Sequence, residues 1–282
     1  MSGGLTQRGR LEQHLRARRD GGRKLLVPYV TGGITACWTE VLRAMIAAGA
    51  DAVEVGIPFS DPVMDGPTIQ EASQRALERG TTPGSILDEL RQVADDVDVP
   101  LVAMTYFNVV FRIGPDRFAA EAAAAGISGV ILPDVPMEEL AEWEPAAGHA
   151  GLETVLLASP ISADDRLAEL CRRSQGFVYG VNLMGVTGER TSVGEQAGGL
   201  ARRLKAVTDK PVIMGFGVST PDQAAAIAAE ADGVVVASAL MRKVLDGAEV
   251  EQVADDVAAL RAALDRGGVG PPSPSSSWLP SP

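Results

Sequence analysis

The feature that most constrains the fold of this chain is the regular alternation of short apolar runs with longer helical segments. The apolar runs are rich in Val, Ile and Leu and end near Gly, Pro or Asp, which is typical of buried strands. About eight strand–helix units follow one another without a break, and this favours a closed parallel barrel over an open doubly wound sheet. A barrel of this kind needs about 250 residues, and the chain has 282. We therefore predict an α/β fold with a single (β/α)8 TIM barrel.

The predicted barrel extends over residues 25–266, between two segments of different character. Residues 1–24 are predicted to form an N-terminal helical extension, with a short polar helix at 5–19. The segment 267–282 consists mostly of Pro, Ser and Gly, has no periodicity and is predicted to be disordered. The strands of the barrel are predicted at 25–30, 52–57, 101–106, 129–132, 154–157, 177–182, 212–214 and 233–236. Among the helices between and after them, one is predicted at 138–147 and helical sequence is predicted from 239 to 263.

Composition and charge argue against several classes of protein. The net charge of −12 does not suit a surface for nucleic acid or anionic membranes. Cys37 and Cys171 are far apart in the sequence, so neither a disulfide nor a zinc site is indicated. No apolar run approaches the ~18 residues of a transmembrane helix. Residues 1–24 lack the apolar core of a signal peptide, and we therefore expect a cytoplasmic protein.

The segment 51–67 contains the first candidates for catalysis. Glu54 lies in the middle of an apolar run of strand length, where a carboxylate is costly to bury unless something compensates for it. Asp61 and Asp65 follow in a loop rich in Pro and Gly. In a parallel barrel all three acids would project at the face where barrels carry out chemistry. The alternative is structural, with Glu54 in a buried ion pair and Asp65 as the cap of a turn.

Three loops near the end of the barrel suggest a site for an anion. They follow the sixth, seventh and eighth predicted strands and are rich in small residues, at 184–190, 215–219 and 237–238. Small residues let backbone N–H groups approach an anion, and a helix that starts at Ser238 would add its dipole. Barrels commonly hold a phosphate at this place. The alternative is that the glycines only serve tight turns.

The positions of the lysines and histidines argue against two further kinds of catalysis. None of the lysines falls at the carboxyl end of a predicted strand, which argues against a Schiff base; they are Lys24, Lys205, Lys210 and Lys243. The two histidines, His14 and His149, lie on helical stretches and do not suggest metal ligands. What remains is carboxylate acid–base catalysis on a phosphorylated small molecule, without a metal.

The same residues resemble a known family. The run Glu-Val-Gly-Ile-Pro-Phe-Ser-Asp-Pro at 54–62, followed by Asp-Gly-Pro-Thr-Ile-Gln at 65–70, resembles the signature of the tryptophan synthase α subunit. That motif is long and specific. The resemblance covers about residues 25 to 245 and includes further blocks at 27–31, 104–108, 132–136, 185–188 and 215–217.

The resemblance implies an activity and a partner. Members of the family are single barrels that cleave indole-3-glycerol phosphate to indole and glyceraldehyde 3-phosphate. Indole then passes through a tunnel to a β subunit that depends on pyridoxal phosphate. We therefore expect this chain to need no cofactor of its own and to join a β subunit in an α2β2 assembly.

Two alternatives to this reading of the function stay open. One is a free-standing lyase that releases indole and has no β subunit. The other is a barrel without turnover that only activates a β-like partner. The presence of both Glu54 and Asp65 argues against the second alternative.

The resemblance also implies roles for individual residues. Glu54 corresponds to the general acid–base, and Asp65 to the carboxylate that accepts the indole N–H bond. Tyr179 would lie near these two acids. The positions that line the indole pocket correspond to Tyr29, Met104, Tyr106 and Leu157. The phosphate binders correspond to Thr187, Gly188, Gly217, Ala237 and Ser238. The surface that faces the β subunit corresponds to Pro58 and Asp61.

The chain departs from the family pattern at two places. The family usually has Gly-Asp-Pro after the first strand, where this chain has Gly-Ile-Thr at 33–35. The family commonly has Gly-Ser after the eighth strand, where this chain has Ala237 and Ser238. Alanine keeps the N–H donor, but it would be strained by about 1 kcal/mol if the site required a positive φ.

Overall fold

The structure is a computed structural model that describes residues 9–181, 193–215 and 217–267. The described strands form a closed parallel barrel in sequential order, because the first strand pairs with both the second and the eighth. The predicted TIM barrel is therefore confirmed. The strands are β1 Leu25–Thr31, β2 Val53–Gly56, β3 Leu101–Met104, β4 Ile127–Ile131, β5 Glu153–Ala158, β6 Val178–Val181, β7 Val212–Gly215 and β8 Gly233–Val236.

Helices surround the barrel, and short 3-10 helices occur at Ala94–Asp96 and Met137–Glu142. No helix in the described ranges is long and apolar enough to cross a membrane. The helices are α1 Arg10–Asp20, α2 Trp38–Ala47, α3 Pro67–Glu78, α4 Pro83–Val93, α5 Phe107–Ile113, α6 Pro115–Ala124, α7 Glu144–Ala150, α8 Asp164–Arg173, α9 Val193–Lys205, α10 Pro221–Glu230, α11 Ser238–Leu245 and α12 Val250–Gly267.

The helices differ from the predicted ones at three places. The predicted helix 138–147 is a 3-10 helix followed by α7, because Pro145 lacks an N–H group and starts a new helix instead of continuing one. The long helical run predicted for 239–263 is broken into α11 and α12 near Gly247, which has a φ of 86°. Helix α5 was not predicted.

Side chains alternate between the inside of the barrel and the layer of helices. In the segment that leads through β2, Ala52 packs with the interior cluster, whereas Val53 and Val55 pack with the cluster beneath the helices. The same alternation directs Glu54 into the barrel. Glu54 lies two positions before Gly56 at the end of β2, and therefore near the carboxyl end of the barrel rather than in the middle of the core.

Helix α1 closes the opposite end of the barrel. Leu11 and Leu15 are fully buried among the interior side chains of the strands. Gly129 and Gly176 make room for Leu11, because a Cβ at either position would overlap its side chain. The Glu153 carboxylate accepts the backbone N–H groups of Leu11 at 2.7 Å and Glu12 at 3.0 Å, and so caps the helix. Residues 1–8 and the tail beyond residue 267 lie outside the described residues.

Candidate active site

Glu54 lies at the carboxyl end of the barrel and is 1% exposed. Its Oε2 atom has no hydrogen-bond partner among the described residues. Burial raises the pKa of Glu54 to about 8, and the nearby carboxylate of Asp65 adds to this rise. The Tyr179 hydroxyl donates a hydrogen bond to Glu54 and opposes the rise. The Glu54 carboxyl is therefore mostly protonated at neutral pH.

Tyr179 reaches Glu54 from β6, across the barrel. Its ring lies over Gly215 at the end of β7, where a Cβ would be 2.7 Å from the Tyr179 hydroxyl oxygen. The ring also contacts Phe177 with a centroid distance of 5.8 Å. Tyr179 therefore has a defined position in the barrel. Gly215 contributes to it, because a side chain at residue 215 would occupy the space of the ring.

Asp65 approaches the same space from the loop between β2 and α3. The Tyr106 hydroxyl donates to Asp65 Oδ2 at 3.0 Å and accepts the backbone N–H of Met64 at 3.0 Å. The ring of Phe59 stacks on Tyr106 with centroids 5.1 Å apart. Burial raises the pKa of Asp65 to about 6, and the hydrogen bond from Tyr106 limits the rise. Tyr106 thus connects the loop to the end of β3.

Tyr29 is the neighbour of Glu54 in the sheet, since the two residues are partners in the β1–β2 register. It is 4% exposed, and its hydroxyl oxygen accepts a hydrogen bond from Thr31 Oγ1 at 3.2 Å. Burial raises the pKa of the phenol, and the charges of Asp65 and Glu54 raise it further. Tyr29 is therefore a neutral hydroxyl beside the two acids.

A cavity of about 330 Å³ has Met64, the neighbour of Asp65 in the loop after β2, in its wall. Leu132, Leu157 and Val181 are among its apolar lining residues, and Asp134 and Arg166 contribute charged groups. Met104 ends β3 and is half-buried, but it does not line this cavity. The apolar part of this lining offers a surface for an aromatic ring.

Some of the predicted phosphate binders lie within the described residues and others lie outside them. Gly217 follows β7 with a φ of 69°, in the left-handed region that glycine adopts without strain. Ala237 follows β8 with a φ of −114°, and Ser238 starts α11, so the positive φ considered for position 237 does not occur. These residues lie at the ends of adjacent strands. Thr187 and Gly188 lie outside the described residues, as does Phe216.

The two predicted partner-facing residues differ in exposure. Asp61 is exposed and accepts a hydrogen bond from Ser60 Oγ at 2.7 Å, whereas Pro58 is buried at the base of the loop. Val63 at the tip of the loop is 78% exposed. The outer surface of this loop is therefore partly apolar, and Asp61 contributes a charge to it.

Several residues of the site could not be recognised in the sequence. Thr31 and Phe59 contact the tyrosines that flank the acids, but both lie within ordinary strand and loop sequence. Gly56 lies beneath the Tyr29 hydroxyl, with which a Cβ would overlap. The only indication of this contact in the sequence is a glycine near the end of a predicted strand, next to a strand that carries an aromatic residue.

Comparison with known proteins identifies the family. The profile described as "Tryptophan synthase alpha chain" matches residues 15–267. The tryptophan synthase alpha chain of Streptomyces coelicolor is 45% identical over 264 residues, which cover 91% of this chain and 96% of the relative. That of Geobacter sulfurreducens is 45% identical over 251 residues, or 87% of this chain and 95% of the relative.

The chain belongs to the tryptophan synthase alpha chain family.

Solved structures agree with this assignment. The tryptophan synthase of Mycobacterium tuberculosis superposes with a TM-score of 0.84 and 37% identity, and the match covers 92% of this chain and 99% of that chain. The alpha subunit from Legionella pneumophila superposes with a TM-score of 0.85 and 30% identity, covering 92% and 100%. The chain is accordingly a lyase of tryptophan biosynthesis that catalyses the cleavage of indole-3-glycerol phosphate. Nothing in the comparisons favours a free-standing lyase or a barrel without turnover.

Proposed function

We propose that Glu54 transfers the protons of the cleavage reaction and that Asp65 stabilises the charged intermediate. The observation that supports this most directly is the burial of two carboxyl groups with different pKa values in one site, about 8 for Glu54 and about 6 for Asp65. At neutral pH one group is mostly protonated and the other mostly ionised. Two carboxyl groups with different pKa values can take different roles, one as a proton donor and the other as a negative charge that stabilises an intermediate.

The proton balance of the reaction requires one group that acts twice. Glu54 delivers its proton to indole C3, which makes the ring nitrogen an iminium group with its N–H still in place. The ionised carboxylate of Asp65 accepts that N–H bond and stabilises the positive charge. Glu54 then takes the proton of the glycerol hydroxyl next to the scissile bond. The C–C bond breaks, its electrons return to the ring, and indole and an aldehyde are formed with no net consumption of water.

The other residues of the site would hold the two ends of the substrate. The apolar wall that includes Leu157 would contact the indole ring, with Tyr29, Met104, Tyr106 and Tyr179 around it. The phosphate would bind to backbone N–H groups at Gly217, Ala237 and Ser238, together with Thr187 and Gly188. The negative φ of Ala237 supports this, because alanine is unstrained there and keeps its N–H donor.

Glu54→Gln should lower turnover of indole-3-glycerol phosphate by at least ~10², because the amide cannot transfer protons. Asp65→Asn should also lower turnover strongly, because a neutral amide cannot stabilise the iminium charge. Glu40→Gln and Asp116→Asn remove exposed carboxylates of α2 and α6 and serve as controls with normal turnover. Near-normal turnover by either site variant would contradict the assigned roles. Lack of turnover by the wild type would favour the non-catalytic barrel.

The surface around the loop 58–67 supports a β-subunit partner. Val63 and Phe111, which is 60% exposed, place apolar area at the catalytic face. A groove of about 640 Å³ lies beside Phe111, between Phe107 and Pro136. Exposed apolar residues around a groove are typical of protein interfaces. We infer an α2β2 assembly in the cytoplasm, in which pyridoxal phosphate belongs to the β subunit and this chain uses no cofactor.

Binding of the β subunit should raise the cleavage rate through the loop 58–67, because this loop carries Asp65 and is part of the proposed interface. Asp61→Ala removes an exposed charge without removing a proposed catalytic group. We expect it to weaken the activation by the β subunit more than the basal rate. The measurement is turnover with and without the β subunit for both proteins. A fast wild-type chain that gains nothing from the β subunit would support the free-standing lyase.

A further inference from the structure

Tyr29 presents a hydroxyl group whose proton has no acceptor in the described part of the structure. Thr31 Oγ1 donates to the phenol oxygen at 3.2 Å, so the phenol acts as an acceptor in this bond and its own proton remains available. A buried phenol usually finds a partner for its O–H group. The missing acceptor therefore suggests a ligand.

Two residues of the sheet, Thr31 and Gly56, define the position of the hydroxyl. Thr31 is fully buried, and its backbone N–H lies 3.4 Å from Sδ of Met241 in α11. Gly56, the register partner of Thr31, leaves the space that the Tyr29 hydroxyl occupies. A phenylalanine at position 29 would leave this space empty. The geometry therefore accommodates a tyrosine hydroxyl specifically.

The hydroxyl also keeps its proton throughout the working range of pH. Burial raises the pKa of Tyr29, and the two neighbouring carboxyl groups raise it further. The groups that face it are Glu54 on β2, Asp65 and Tyr106 from the loops that follow β2 and β3, and Thr31 on its own strand. None of them is a cation that would favour the phenolate. Tyr29 is thus a permanent donor beside Glu54.

The chemistry of the substrate supplies the acceptor. The indole ring has an N–H donor but no good acceptor, whereas the glycerol chain has hydroxyl oxygens. The hydroxyl next to the scissile bond must lie against Glu54, because Glu54 takes its proton. Tyr29 is the partner of Glu54 on the adjacent strand and can reach the same oxygen. That oxygen gains negative charge as its proton leaves, and a donor aimed at it lowers the barrier.

We propose that Tyr29 donates a hydrogen bond to the glycerol oxygen that becomes the aldehyde oxygen, and that Thr31 positions the Tyr29 hydroxyl for this bond. This inference rests on the proposed function of Glu54. Tyr29 keeps its own proton during the reaction, while the substrate proton passes to Glu54 and the electrons of the broken C–C bond return to the ring. Tyr29 is then a catalytic residue, and Thr31 is a positioning residue.

The first test measures turnover of indole-3-glycerol phosphate by four variants. Tyr29→Phe should lower kcat by about tenfold, the effect of losing one hydrogen bond to a developing charge. Thr31→Val should lower kcat by a smaller factor, and Thr31→Ser should restore it because serine keeps the donor. In the double variant, Thr31→Val should add nothing to the effect of Tyr29→Phe. A Thr31→Val effect of equal size in both backgrounds would show that Thr31 acts independently of Tyr29 and would overturn its positioning role.

The second test separates the hydrogen bond from simple packing. The probe is an analogue of the substrate with an unsubstituted propyl chain in place of the glycerol chain, which has no oxygen beside the ring. Its Kd should be the same within about twofold for the wild type and Tyr29→Phe. Equal losses of analogue binding and of turnover would mean that the phenol only packs, and would overturn the inference. Turnover of Tyr29→Phe within twofold of wild type would also overturn it, whereas the proposed function is judged separately by Glu54→Gln.

Discussion

At the scale of single residues, two tyrosines act in the same way on two different acids. Tyr179 donates to Glu54 and Tyr106 donates to Asp65, and each bond opposes the rise in pKa that burial causes. Glu54 has the less exposed position and the higher pKa, because desolvation is the largest cause of the shift for both groups. The environment of each carboxyl, rather than its chemical type, therefore separates their pKa values.

The pH profile of kcat/KM should be bell-shaped, with limbs near the pKa values of about 6 for Asp65 and about 8 for Glu54. In the proposed mechanism, activity requires ionised Asp65 and protonated Glu54. Tyr106→Phe removes a bond that lowers the pKa of Asp65, so the acidic limb should move to higher pH. Tyr179→Phe should move the basic limb to higher pH instead. Identical shifts of both limbs in both variants would contradict the pairing of each tyrosine with one acid.

At the scale of elements, helix α1 completes the barrel by filling its amino end. The two buried leucines of α1 pack with side chains from the strands, and Glu153 of β5 caps the helix. Arg16 on the same helix pairs with Asp209 at 3.1 Å, in the segment before β7. The helix is therefore attached to the barrel at several points. The domain boundary predicted after residue 24 stays a prediction.

Leu11→Ala should lower the free energy of unfolding by about 2–5 kcal/mol, because it opens a cavity where glycines make room for the leucine. The proposed catalytic groups lie at the other end of the barrel, so kcat/KM at 25 °C should change little. Ala17→Ser, at an exposed position of the same helix, is the control and should change stability by at most about 0.5 kcal/mol. Urea unfolding and steady-state kinetics measure both quantities. A large loss of kcat/KM in folded Leu11→Ala would show that α1 also shapes the active site.

At the scale of the whole molecule, buried acids have different partners at the two ends of the barrel. At the amino end, Asp51 is fully buried and pairs with Arg23 at 2.7 Å and with Arg261 at 3.1 Å. Asp232 at the same end pairs with Lys205. At the carboxyl end, Glu54 has no cationic partner among the described residues. The amino end therefore supports stability, whereas the carboxyl end keeps an acid in its protonated form.

Glu54 should make the stability of the protein fall as the pH rises from about 4.5 to about 8. Because its pKa is raised from 4.5 to about 8, the folded state binds more protons than the unfolded state in this window. The stabilisation is present below pH 4.5 and is lost as the pH passes through 8. Glu54→Gln lacks this titration, so its stability relative to wild type should increase by a few kcal/mol between pH 5 and pH 9. Urea unfolding at the two pH values gives the comparison, and a difference independent of pH would contradict a buried, unpaired Glu54.

The sequence by itself determined the order of the strands and the barrel, and it singled out the two acids as candidates, because all of these follow from local patterns. The period of apolar residues marks each strand, and a carboxylate inside an apolar run stands out against that period. The family motif at 54–70 lies in one continuous stretch, so Glu54 and Asp65 could be assigned without knowing their surroundings.

Only the tertiary structure decided which side chains surround those acids. Tyr106 and Asp65 are 41 positions apart in the sequence, and their hydrogen bond depends on how the loop after β2 folds over the end of β3. The hydrogen bond between Thr31 and Tyr29 joins residues that are close in the sequence. The position of the Tyr29 hydroxyl nevertheless depends on Gly56 of the next strand, whose missing side chain leaves space for it. Burial and hydrogen bonds are properties of the closed barrel, and they set the pKa values of the two acids.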